Sequence, residues 1–133
     1  MTTEGFTALK AFMASTLAVL AWLLGGFDSL LQGLCLLMAL DIITGVLKAI
    51  SLKTLSSDVS FKGMTKKVYI FVLVAVAVIV DGIAGTDTLI RTGVIFFYSI
   101  TESLSIIENA SILGVPIPGV LKDALAKLQE KTQ

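Results

Sequence analysis

The chain contains no histidine, one cysteine and two prolines, and only 15% of its residues are charged. Without histidine, the commonest general base and the commonest metal ligand are both missing. A lone Cys35 offers neither a disulfide within the chain nor a thiolate metal cluster. Ser99, Ser103 and Ser105 therefore have no histidine to activate them, and the acids show no His-Glu-x-x-His spacing. Lys62-Gly63 belongs to no glycine-rich phosphate loop. These absences predict a protein that is not an enzyme, with no catalytic, cofactor or metal site. Average soluble domains carry roughly a quarter charged residues, so the scarcity of charge also argues against a water-soluble body.

What is present is oil. Hydrophobic residues make up 56% of the 133 positions, and the mean hydropathy is +0.95. Net charge is zero, but the charges are unevenly placed. The length suits one small bundle with no second folded domain.

Residues 1–118 read as a transmembrane helical domain with spans at about 11–27, 29–50, 68–85 and 89–113. In the first, Ala14, Ala18, Ala21 and Gly25 step along one face, the small-residue pattern that lets membrane helices approach closely. A signal peptide is the rival reading of this run, but it lacks a clear small-x-small cleavage site and a second apolar segment follows at once. Met13 offers a second start that would delete Glu4 and Lys10. Residues 119–133 read as a cytoplasmic amphipathic tail, with Val120, Leu121, Ala124, Leu125 and Leu128 on one face and Lys122, Lys127 and Lys131 around the other. The predicted fold class is all-α: an integral membrane bundle of about four helices plus a C-terminal amphipathic helix.

The spans carry charge where lipid does not tolerate it. Asp41 lies roughly 18 Å along the second, near mid-membrane, with Thr44 and Lys48 on its face; Lys48 is near enough to the end to snorkel. Asp81 falls in the outer third of the third span, within reach of Asp87 and Arg91. In the fourth, Arg91, Ile95, Tyr98, Glu102, Ser105 and Asn109 recur at steps of three or four and form a polar stripe, with Glu108 beside it. A charge facing lipid at mid-depth costs about 2.5–3.5 kcal/mol, so the stripe must face other helices or water. These residues are the candidates for pore lining or helix packing.

The connection from Ser51 to Lys67 is the one substantial hydrophilic segment, with Lys53, Lys62, Lys66 and Lys67 against Asp58. Lysine-rich loops stay on the cytoplasmic side, so these four are read as topology determinants. Both termini are then cytoplasmic, and Arg91 alone disagrees. No part of the pattern calls for nucleic acid.

Several motifs then resemble a known family. Leu40-Asp41-Ile42-Ile43-Thr44-Gly45, Lys62-Gly63 with Lys66-Lys67, and Asp81 are followed by Tyr98, Glu102-Ser103-Leu104-Ser105-Ile106-Ile107-Glu108-Asn109 and Gly114-Val115-Pro116-Ile117-Pro118. In order and spacing this is similar to the toxin secretion and phage lysis holins of Gram-positive phages and clostridia. The likeness covers roughly Met38 to Leu128, with Thr101 standing where asparagine is expected. It implies a protein of the bacterial cytoplasmic membrane that forms homo-oligomers in the lipid bilayer and opens lesions, through which an endolysin or a toxin leaves as cargo. The alternative from the residues alone is a small proton-coupled transporter or channel subunit, which also carries intramembrane acids; no internal repeat supports it.

Overall fold

The computed structural model describes residues 2–131, so the last two residues of the C-terminal tail lie outside it. Among the described residues there are five helices and no strand: α1 Thr3–Leu23, α2 Ser29–Ser51, α3 Ser57–Ala84, α4 Leu89–Ile112 and α5 Gly119–Glu130. The first four are each long and apolar enough to cross a membrane. The chain is thus an all-α integral membrane bundle with a short fifth helix.

Local chemistry sets the helix starts. Thr2, Asp28 and Ser56 cap α1, α2 and α3 by accepting the backbone N–H of Gly5, Leu31 and Val59 at 3.3, 3.0 and 3.3 Å. The Ser56 cap, with Asp58 in the first turn, begins α3 eleven residues before the apolar run that marked the expected span at 68. The hydrophilic connection therefore shrinks to residues 52–56, and Lys62, Lys66 and Lys67 sit on a helix rather than in a loop. Lysine and methionine are good helix formers, and Gly63 inside a helix costs only about 1 kcal/mol relative to alanine, so hydropathy marks the membrane segment and not the helix end. For the same reason α1 starts at Thr3 instead of near residue 11.

α4 is the hub, packing against α2, α3 and α5. Buried Leu31, Leu34 and Met38 of α2, Ile70 and Val74 of α3 and Ile95 of α4 form the apolar core, with Cys35 and Tyr98 packed against it. No residue of α1 is buried. Side chains such as Phe12, Trp22, Leu36 and Ile83 are exposed at 66–83%, as expected where lipid is the solvent and the helix exterior need not be polar.

The buried faces share one layout. Along α2 the face runs Leu31, Leu34, Met38, then Asp41; along α3 it runs Lys67, Ile70, Val74, Ala77, Asp81; along α4 it runs Arg91, Ile95, then Glu102 and Asn109. An apolar layer thus lies between two polar layers. Those layers are roughly 16 Å apart along α4.

Candidate functional site

The inner polar layer joins three helices around one amine. Lys67 on α3 donates to the Asp41 carboxylate on α2 at 2.8 Å and to Glu102 on α4. Asn109, two turns further along α4, donates to Asp41 at 3.3 Å and to the Thr44 hydroxyl at 3.2 Å. Thr44 in turn donates to the Asp41 backbone carbonyl at 3.2 Å. Lys67, Glu102 and Asn109 are all buried. Asp41 and Glu102 lie roughly 18 and 20 Å along their helices, and Lys67 reaches them from roughly 26 Å before the Ala84 end of α3. With all three ionised, the cluster holds two negative charges against one positive. Its members gain far more from one another than from hydrocarbon, because an unpaired ion there loses its hydration with nothing in return.

The outer layer ties the turns together. Asp81, near the end of α3, accepts the Thr86 hydroxyl at 2.5 Å and the backbone N–H groups of Ile90 and Arg91 at 2.9 and 2.8 Å. Thr88, at the N-cap of α4, makes no side-chain cap bond. The Asp81 carboxylate supplies that cap from the neighbouring helix, satisfying orphan donors at the positive end of the α4 dipole. The Arg91 guanidinium turns the other way. Its Nε donates to the Leu24 carbonyl at 2.6 Å, its Nη2 to the Gly26 carbonyl at 3.0 Å, and both Nη groups to Asp28 at 2.8 and 3.1 Å. This fork geometry is specific to arginine. The guanidinium holds the half-exposed Asp28 carboxyl below its ordinary value, helped by the Leu31 N–H. Gly25 makes the approach possible. Its φ is +78°, and a Cβ there would stand 2.7 Å from Arg91 Nε.

Among the described residues, no buried side-chain nitrogen or oxygen lacks a hydrogen-bond partner. For Arg91, Glu102 and Asn109, the requirement that the α4 stripe face other helices is therefore met within a single chain.

The candidates from the sequence divide accordingly. Asp41, Thr44, Glu102 and Asn109 meet in the inner layer, and Asp81 and Arg91 share the outer one, where the contact to Asp81 comes from the Arg91 backbone and not its side chain. Tyr98 packs on the apolar layer and edge-on to Phe97, with ring centroids 5.2 Å apart. Ser105 and Glu108 flank a separate groove of about 420 Å³ between α4 and α5. Lys48 is half-buried in the last turn of α2. Lys53, Lys62 and Lys66 are exposed near the α2–α3 turn, while Lys67 leaves that group and points inward. Asp28 and Lys67 are the residues missed as partners. The spacing Lys67, Ile70, Val74, Ala77, Asp81 is the signal that placed Lys67 on the buried face, and Asp28-Ser29 before an apolar run is an N-cap signature.

The chain is 39% identical over 124 residues to an uncharacterized 14.9 kDa protein of Clostridium perfringens, covering 92% of this chain and 94% of that one. It is 40% identical over 115 residues to an uncharacterized protein of Listeria innocua, covering 86% of this chain and 82% of the relative. A probable holin of Bacillus phage phi105 is 40% identical over 86 residues, or 65% of this chain and 64% of its own length. No solved structure matches the chain. The profile of the bacteriophage holin family matches residues 18–130, a stretch that contains both polar layers, and the chain belongs to that family.

Proposed function

We propose that this protein is a holin that gathers in the bacterial cytoplasmic membrane, oligomerises and permeabilises it, releasing an endolysin or a toxin. The observation that carries the reading is the inner layer, in which Lys67 holds Asp41 and Glu102 together at the end of the apolar core. Charged contacts of this kind respond to their surroundings as apolar contacts do not. In a dry bundle, separating them strands ions, at a cost of about 3–5 kcal/mol for a buried pair. In contact with water the same separation is nearly free, because hydration replaces the partners. The cluster therefore stabilises a closed bundle in lipid and, once wetted, a polar wall carrying Asp41, Thr44, Glu102 and Asn109. That is a bistable element of the kind a timed lesion needs.

Both termini are assigned to the cytoplasm. Lys48, Lys53, Lys62 and Lys66 lie toward the α2–α3 end, and the opposite turns hold Asp28 and Asp87 without a lysine, which supports the positive-inside orientation; Arg91, in the first turn of α4 at that opposite end, is the exception. The test is to induce the chain in bacteria beside a folded cytoplasmic reporter enzyme. Escape of the enzyme is the expected result. Escape of ions or small solutes alone would favour the transporter or channel reading, and no escape of either would refute permeabilisation.

A further inference from the structure

α5 makes its main contact with the bundle at a single helix. It packs on α4, buries Leu125 and half-buries Leu128, and leaves Val120 82% exposed and Leu121 47% exposed. Ile100, Thr101, Leu104, Ser105 and Glu108 of α4 and Gln129 of α5 line the groove between them. Because Gln129, near the end of α5, lies beside the middle of α4, α5 runs back along the helix that precedes it. The link is residues 113–118, almost wholly exposed, with Gly114 at φ +76° and both of the chain's prolines, Pro116 and Pro118.

From this arrangement we infer that α5 exchanges between copies, docking into the α4 groove of a neighbouring molecule as the holin assembles. This rests on the oligomeric reading above and specifies its contact. Three observations carry it. A helix of twelve residues is marginal alone in water, so α5 needs a groove at all times, and the surface that fits it is another copy's α4. Its present seat covers only part of its apolar face, so little contact is lost in the exchange. The proline-stiffened link with one left-handed residue redirects the helix by a change at Gly114, and short hinges of this kind favour swapping.

The charges of α5 point the same way. Lys122, Asp123, Lys127 and Glu130 are exposed beside a stretch of α4 that lies within a membrane-crossing helix. Lipid is a poor neighbour for that edge, whereas a second bundle or water is a good one. A groove that receives the next copy's α5 makes a head-to-tail contact, which closes into a ring or continues open-ended. Docking within one chain has the advantage of an effective concentration on the order of mM, so exchange sets in as the protein accumulates in the plane of the membrane.

The experiment is thiol cross-linking in induced cells, with Thr101→Cys and Gln129→Cys in a Cys35→Ser background and a short homobifunctional maleimide. Early after induction the link is expected within single chains. As reporter enzyme begins to escape, most cross-linked protein should move to dimers and larger species. Two differently tagged chains, one with Thr101→Cys and the other with Gln129→Cys, should then give a doubly tagged product. Links that stay within single chains throughout, or no link at any time, overturn the exchange. Reporter escape is scored in the same cells: escape with intrachain links only leaves the holin reading standing and removes the swap, whereas interchain links without escape do the reverse.

Discussion

Replacing Lys67 by methionine keeps most of the side-chain volume and removes the only base in the inner layer. Asp41 and Glu102 then face each other across α2 and α4 without a cation, each still buried or half-buried. Removing one partner of a buried ion pair destabilises by about 3–5 kcal/mol, a shift of at least two orders of magnitude in the closed-to-open or folded-to-unfolded ratio. Purified in detergent, Lys67→Met should unfold at a clearly lower temperature than the natural chain. Cys35, packed against the core between the two layers, is a built-in reporter: its reaction with a fluorogenic maleimide should begin at lower temperature in the variant. In cells the same change should advance the release of reporter enzyme. The companion variant carries Asp41→Asn, Glu102→Gln and Lys67→Met together. Neutralising the whole cluster leaves no stranded ion, so most of the lost stability should return. An unchanged unfolding temperature in Lys67→Met, or a triple variant as unstable as the single one, would mean that the Lys67 ion pairs do not hold the bundle together.

The outer layer yields two more expectations. Gly25→Ala places a Cβ 2.7 Å from Arg91 Nε at a residue with φ +78°; left-handed strain alone costs about 1–2 kcal/mol, and displacement of Arg91 adds to it. Gly26→Ala has φ +101° but nothing within 4 Å, so in thermal unfolding it should be the milder change. Asp28 titrates below its ordinary value of 3.8 because Arg91 grips it, so its contribution is present above that value and lost as the pH falls through the lower folded one. The unfolding temperatures of the natural chain and Asp28→Asn should therefore differ at neutral pH and converge in strong acid; a constant gap would contradict the pairing.

Much of this was legible in the residues because a membrane helix cannot hide a charge. The steps from Arg91 to Asn109 marked the buried face of α4, and Asp41 and Asp81 marked the same face on α2 and α3. Lys67 was obscured by its neighbours Lys62 and Lys66, which do face outward; only its register with Ile70, Val74 and Asp81 distinguishes it. Arg91 reads as a base on the wrong side of the membrane. Its role depends on backbone carbonyls at Leu24 and Gly26, which no side-chain pattern reports. The apolar run of α1 gave a span, but the small-residue face at Ala14, Ala18 and Ala21 does not become a buried seam: no residue of α1 is buried. The packing of α5 back along α4 follows from the turn at Gly114 and the prolines after it, and turn geometry is weakly coded by amphipathicity.

In the proposed mechanism α2 and α4 part at the inner layer before the membrane fails. Gly45 on α2 faces Asn109 on α4, where a Cβ would lie 3.8 Å from the amide nitrogen, so Gly45→Cys with Asn109→Cys in a Cys35→Ser background provides a reversible tether. The measurement is escape of a cytoplasmic enzyme from cells expressing the oxidised pair, before and after reductant, beside each single variant. Retention is expected while the tether holds and release once it is reduced; equal release in both conditions would mean that the membrane fails with α2 and α4 still joined.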